Sequence, residues 1–280
     1  MKLMKKHVYS IALAFGLACT IQTPTHAYAI IWDLGDTLVD VSKFCMAKQI
    51  GLSAAFRHWL HGGMDSAQEK AFDIMTRVKL YELNYTHKPM RDNEPLPAIM
   101  LDWLISAQSN RQIYIRLRDE IRSLDNQNYF KSKLERRVVR RILKTMFNPE
   151  SLGKCARPIK PALRILRACA QNKKNQLFIC SNWDAESFAN VYNSTAMIPI
   201  FRWFNPDNIV ISGILGVAKP NPAIYFHILS NYQLDPDKTI FIDDDPVNVK
   251  SAELCGITGI CMEDHNYTRL RTELKDLGAI

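Results

Sequence analysis

The run IIWDLGDTLVD occupies residues 30–40 and decides the reading of the chain. Ala29–Leu34 is apolar except for Asp33, as expected of a strand buried on both faces. Gly35 and Asp36 supply turn chemistry directly after it. Asp33 therefore stands at the carboxyl end of a strand, which is where ligands collect in open α/β sheets.

Downstream of residue 158 the same grammar repeats. Helical periodicity at Pro161–Gln171, Ala185–Tyr192, Asn221–Tyr232 and Pro246–Cys255 alternates with strand runs at Gln176–Cys180, Asn208–Ser212, Thr239–Ile242 and Thr258–Cys261. Such alternation predicts a parallel sheet covered by helices on both faces. Between about residues 42 and 157 the pattern reads as helices only. Ser66 with Glu69 has the form of a capping box ahead of Ala71, Phe72, Ile74, Met75 and Val78. Pro97–Ser106, Gln112–Leu124 and Ser132–Phe147 carry apolar residues at three- and four-residue intervals. The chain is thus expected to be an α/β domain with a large helical insertion after its first strand.

Composition agrees with a folded protein. The 280 residues are 47% hydrophobic, with 36 Lys plus Arg against 28 Asp plus Glu and a net charge of +8. This excludes disordered, collagen-like and low-complexity classes. Seven Cys are too dilute for a small disulfide scaffold, and no C-x-x-C spacing suggests zinc. His58 and His61 are three apart beside Trp59 but have no local carboxylate partner. Seven basic residues and one acidic fall in 131–144, with Leu134, Val138, Ile142 and Met146 as an apolar stripe. A solvated helix face is the plain reading, and a surface for anions the sharper one. No aromatic interleaving or motif points to nucleic acid as a partner.

Residues 1–29 have the order of an export signal. Lys2, Lys5 and Lys6 precede an apolar run from Val8 to Ile21 and the ending Ala27-Tyr28-Ala29. The expectation is a periplasmic or secreted protein with no stable membrane span once the signal is cleaved; an uncleaved anchor or a cytoplasmic location is the alternative.

Three further stretches carry chemistry: FICSNWD at 178–184, GVAKPNPAIY at 216–225 and TIFIDDDPVNVKSA at 239–252. Taken singly, an Asp after a strand or Ser181 reads as a helix cap, and Lys219 as a solvated surface lysine. Asp243, Asp244 and Asp245 resist such a reading, because adjacent carboxylates repel unless a cation or proton relieves them.

In this order the four stretches resemble the haloacid dehalogenase superfamily of hydrolases, in its members with a helical cap inserted between the first two motifs. The resemblance is carried by Asp33, by Ser181-Asn182, by Lys219 to Tyr225, and by Asp243-Asp244 with Asn248. It implies a Rossmann-like core over 30–41 and 158–280 and an all-helical cap over 42–157. It further implies a Mg²⁺-dependent phosphatase acting on a small phosphorylated metabolite through an aspartyl-phosphate on Asp33. Ser181, Asn182 and Lys219 would bind the phosphoryl group. Asp33, the Gly35 carbonyl, Asp243 and Asp244 would serve the metal, and Asn248 would tie the fourth loop down. Similar phosphatases carry a second Asp two residues after the nucleophile, where this chain has Gly35. Three readings stay open: Asp36 substitutes after a local turn, a cap residue supplies the acid, or the enzyme is slow except on good leaving groups. The alternatives in function are a catalytically weak binding protein and a metal-free dehalogenase.

Overall fold

The computed structural model describes residues 28–51, 64–78, 90–91 and 94–280. Residues 1–27 of the expected signal and the His58/His61 pair lie outside the described residues. Strand β1 (Ala29–Trp32) leads through a tight turn to β2 (Val39–Val41). Then come α1 (Lys43–Ile50), α2 (Met64–Arg77), the two-residue strands β3 (Met90–Arg91) and β4 (Glu94–Pro95), α3 (Ala98–Leu104), α4 (Asn110–Asn126), α5 (Lys133–Met146) and α6 (Pro149–Cys155). The chain returns through β5 (Ala156–Pro158). After it the alternation runs α7 (Lys160–Gln171), β6 (Gln176–Ser181), α8 (Ala185–Tyr192), α9 (Ile198–Phe201), β7 (Ile209–Ile211), α10 (Ser212–Leu215), α11 (Pro222–Asn231), β8 (Thr239–Asp243), α12 (Pro246–Leu254), β9 (Thr258–Cys261) and α13 (Tyr267–Asp276).

Five strands form one parallel sheet in the order β7-β6-β1-β8-β9, with β1 in the middle. Its side chains divide by alternation. Ile30 and Trp32 pack on one face with Leu177, Ile179, Ile240 and Ile242. Ala29 and Ile31 pack on the other with Phe178, Cys180, Phe241 and Tyr225. Both faces are covered, which is why these strands read as unbroken apolar runs. The expected α/β class, a parallel sheet with helices about it, is what the chain adopts.

The register places the chemistry. Trp32 is level with Ile179 on one side and Ile242 on the other. One residue further, Asp33 is level with Asp243, and its N–H donates to the Ile242 carbonyl at 2.9 Å. Three motif strands therefore end side by side.

The inserted helices have their own core, with Ala67, Ile74, Ile99, Trp103, Ile113, Leu117, Val138, Leu143 and Phe147 buried together. Two expectations need correction there. The region is not helical throughout, because β2 and β5 pair antiparallel where the chain leaves and re-enters the sheet domain, and β3 pairs with β4. Strands of two or three residues show no alternation, and Val39 and Pro158 are far apart in sequence. Ser66 does not cap a helix, since α2 already starts at Met64; its hydroxyl reaches Glu135 Oε1 at 3.5 Å. The capping box belongs to Ser109 and Gln112 at the start of α4. On α5 the stripe Leu134, Val138, Ile142 and Met146 does pack on this core, with Val139 and Leu143 buried beside it.

Beside the β2–β5 pair, Cys45 and Cys155 form a disulfide with Cα atoms 5.4 Å apart. Cys169, Cys180, Cys255 and Cys261 are free, and Cys180 is buried as its apolar surroundings suggest. Among the described residues no helix is long and apolar enough to cross a membrane.

Candidate active site

At the carboxyl end of the sheet Lys219 is the pivot. Its Nζ lies 2.6 Å from Asp33 Oδ1 and 2.5 Å from Asp243 Oδ2. At 1% exposure it is no solvated surface lysine. Its Nζ lies over the Phe241 ring, 5.3 Å from the centroid. The backbone around it is clamped by Asn182, which accepts from the Lys219 N–H and donates to the Lys219 carbonyl, each at 2.8 Å. The Lys219–Pro220 peptide is cis, and Ser251 Oγ donates to the Pro220 carbonyl. Both ends of the Asn182 amide are thus engaged in holding Lys219.

Asp243 is held as firmly. Asn248 Nδ2 donates to both of its oxygens at 3.2 and 3.3 Å, and the Asp245 N–H donates to Oδ1 at 2.8 Å. Tyr225, buried in the core, donates its hydroxyl to the Asn248 carbonyl at 2.8 Å. Asn248 does tie the fourth loop to the sheet. Asp245 caps α12 by accepting from Val247 N–H.

Asp33, Asp243 and Asp244 each offer an oxygen within 4.8 Å of the others. One lysine faces three carboxylates, and the titration reflects it. Burial pushes Asp33 up to about 6; Lys219 opposes that and Asp243 adds to it. Burial together with the Asp33 and Asp243 charges pushes Asp244 up to about 7. Burial alone would lower Lys219, but Asp243 and Asp33 hold it above its usual range. Like charges this close favour one proton or one cation more than the protein supplies. An all-oxygen set of this kind suits Mg²⁺ in donor chemistry, and Asp33, Asp243, Asp244 and Gly35 all line the cleft.

The turn after β1 shapes the rest. Thr37 N–H donates to the Gly35 carbonyl, and Asp36 N–H to Val39 at 2.9 Å. Asp36 has φ +49°, a left-handed conformation that Asp and Asn adopt more readily than most residues. It is exposed and lines the cleft. A Cβ built on Gly35 would meet only Asp33 Oδ2, at 3.7 Å, so the position has room for a side chain. Thr37 Oγ1 donates to Asp244 at 3.4 Å, and Tyr267 in α13 donates to the Thr37 carbonyl at 3.1 Å.

Asp33, Gly35, Asp36, Ser181, Lys219, Asp243 and Asp244 line the floor of a cleft of about 860 Å³. The opposite wall is Leu96, Met100 and Leu104 from the inserted helices. That wall is docked on the sheet domain. Ser212 Oγ donates to the Leu104 carbonyl at 2.6 Å, Ala185 N–H to Ser106 Oγ at 2.9 Å, and Asn110 Nδ2 to Asp184 at 2.6 Å. Gly213 sits in this seam, where a Cβ would come within 2.5 Å of both Ala185 N and Ser106 Oγ. Sequence reading missed the wall, the seam, Thr37 and Tyr267. The helical periodicity of Pro97–Ser106 was visible, but periodicity does not say which surface Met100 and Leu104 face, and Leu96 precedes the helix. Trp183, which follows Ser181 and Asn182, packs in the core at 7% exposure.

The chain is similar to several known proteins. Flavin mononucleotide hydrolase 1 of Arabidopsis thaliana is 42% identical over 67 residues, 24% of this chain and 26% of that protein. Sesquiterpene phosphatase astK of Aspergillus oryzae is 33% identical over 77 residues, 28% of this chain and 38% of that protein. The chain thus aligns with only about a quarter to two fifths of these relatives' lengths. A HAD family enzyme from Bacteroides thetaiotaomicron, solved in complex with magnesium and inorganic phosphate, is similar at a TM-score of 0.49 and 16% identity, covering 84% of this chain and 93% of that one. The family description haloacid dehalogenase-like hydrolase matches residues 28–256. A match of that extent, running through the sheet and the helices inserted into it, makes the chain a member of the haloacid dehalogenase-like hydrolases.

Proposed function

We infer that this hydrolase is a phosphatase of phosphate monoesters, with Asp33 as nucleophile and Mg²⁺ as cofactor. The observation that carries it is the single buried lysine shared by Asp33 and Asp243 with Asp244 beside them. Asp33 must be ionised to attack phosphorus, and Lys219 favours that form. Asp33 Oδ would bond to phosphorus as the bond to the ester oxygen breaks, and water would then release phosphate from the aspartyl-phosphate. Ser181 and Lys219 would hold phosphoryl oxygens, and Asn182 would hold Lys219. When bound at Asp33 and Asp244, the metal supplies the positive charge that lets a carboxylate approach an anionic phosphate.

The ester oxygen needs a proton as it leaves. Asp36 is the residue we assign to it, since its left-handed turn sets it at the cleft and the described cap wall is apolar. The Cys45–Cys155 disulfide supports the reading of an exported protein, because such bonds persist in oxidising compartments.

The test is phosphate release from 4-nitrophenyl phosphate with and without Mg²⁺, beside Asp33→Asn. We expect metal-dependent turnover that falls by about 10³-fold or more in the variant, roughly 4 kcal/mol of barrier. Gly35 favours a second reading, a weak relative that binds phosphorylated ligands without turning them over. Absence of release from this ester, whose leaving group needs little acid, would decide for it. Release of halide from a 2-haloacid in the presence of chelator would instead indicate a metal-free dehalogenase.

A further inference from the structure

Among the described residues the cleft draws its polar lining from the sheet domain and apolar lining, Leu96, Met100 and Leu104, from the inserted region. Among the described residues its floor and rim bring six carboxylates, Asp33, Asp36, Asp243, Asp244, Asp245 and Glu263, against one cation, Lys219. None of the arginines of α5 lines it. Arg136 pairs with Asp125, and Arg141 reaches the Ile50 carbonyl. A divalent ion and Lys219 can balance one phosphate, but a second anionic group on the substrate would face uncompensated carboxylates. Met100 and Leu104 are one helical turn apart on α3, and Leu96, in the segment before the helix, lines the cleft with them. These three side chains form an apolar stripe with the floor below it. The seam of Ser212, Ser106 and Asn110 fixes the stripe in place.

We propose that the substrate is a monophosphate ester of an apolar alcohol, aliphatic or aromatic, whose hydrocarbon part lies along Leu96, Met100 and Leu104, and that esters with a second anion are rejected. The proposal rests on the phosphatase reading for where the phosphate sits. It adds what the rest of the molecule must be. Burying hydrocarbon against the stripe supplies binding energy in proportion to the area covered. Nothing in the described wall offers a hydroxyl-rich sugar the hydrogen bonds it would lose from water.

The test reads binding, so it does not depend on turnover. Titration calorimetry in Mg²⁺ with n-alkylphosphonates, from methyl to hexyl, probes the wall without an ester bond to cleave. We expect Kd to fall about fourfold for each methylene that reaches the stripe, the equivalent of about 0.8 kcal/mol, and at least thirtyfold across the series. 3-Phosphonopropionate should bind at least tenfold more weakly than propylphosphonate. Met100→Lys, with its melting temperature checked, should flatten the series and reverse that preference. A flat series in the unaltered protein, or a preference for the second anion, would overturn the proposal. Failure to hydrolyse 4-nitrophenyl phosphate while the series holds would sink the phosphatase reading alone and leave the ligand class standing.

Discussion

Two ion-paired lysines, one half-buried and one fully buried, invite comparison. In the inserted helices Lys70 Nζ lies 2.9 Å from Glu135 Oε2 and 3.0 Å from the Tyr129 carbonyl, with the Tyr129 ring 4.7 Å away. Glu135 also accepts from Lys131 N–H at 2.7 Å. Burial acts to raise this carboxyl, but Lys70 and the Lys131 N–H outweigh it, and Glu135 stays below the usual range. At the sheet's edge Lys219 meets two carboxylates with a third beyond, and there Asp33 and Asp244 are pushed up instead. Both lysines are held in ion pairs away from bulk solvent, Lys219 completely and Lys70 in part. What separates them is charge balance. One acid matched by one base and satisfied by hydrogen bonds is structure. Three acids around one base hold open a place for something positive.

The comparison can be broken at several points. The largest effect should come from the surplus carboxylate in the cleft. Asp36→Asn keeps a residue suited to positive φ and removes the assigned acid. Turnover of alkyl phosphates should fall about 10²-fold while 4-nitrophenyl phosphate is nearly unaffected. Gly35→Asp, with open space at its Cβ, should raise alkyl turnover. Equal losses on both esters for Asp36→Asn would remove Asp36 from that role.

Next comes the metal. The folded-state pKa values of Asp33 and Asp244 lie above their unfolded value of 3.8, so the folded chain holds more protons between about pH 4 and pH 7. Without metal, that term makes stability decline as pH rises through this window. Mg²⁺ at a hundredfold excess over its Kd should restore about 2.7 kcal/mol at pH 8, a rise of roughly 5–10 °C in melting temperature. At pH 5 the shift should be small. A thermal melt with and without EDTA at both pH values checks this; equal shifts would contradict a site built on these carboxylates.

A smaller pair of changes should differ in sign. Glu135→Gln leaves Lys70 without its countercharge and should lower metal-free stability by about 1–3 kcal/mol, below the full buried-pair cost because Lys70 is partly exposed. Asp244→Asn removes a repelled charge and should leave stability unchanged or raised. Denaturant melts of the two variants that moved together would erase the distinction. Because Glu135 is held low, its stabilisation is present above the unfolded carboxyl pKa and is lost as pH falls through the folded value.

The smallest effect concerns the seam joining the two regions. Gly213→Ala forces a Cβ against Ala185 and Ser106. A loss of about 1–2 kcal/mol in stability is expected from such overpacking, with a rise in KM as the wall shifts. An unchanged KM would mean that this seam does not set the wall.

The core was legible because its signals are local. An apolar run ending in Asp33, Ser181 or Asp243 states both the strand and its functional end within a few residues. Ser66 misled for a related reason: a capping box describes four residues, and α2 had begun before them. Pairing of Val39 with Pro158, of Cys45 with Cys155, and of Asn110 with Asp184 involves residues far apart in sequence, and no local pattern encodes them.

What the sequence determined by itself was therefore the alternation of elements, the parallel sheet, and the identity of the residues at its carboxyl edge, since strand period and turn chemistry are properties of neighbouring residues. Only the tertiary structure decided that Lys219 is buried, that it answers Asp33 and Asp243 together, that Asp36 turns into the cleft, and that Leu96, Met100 and Leu104 face that floor. Those facts depend on which surfaces meet, and burial and charge balance exist only after they have met.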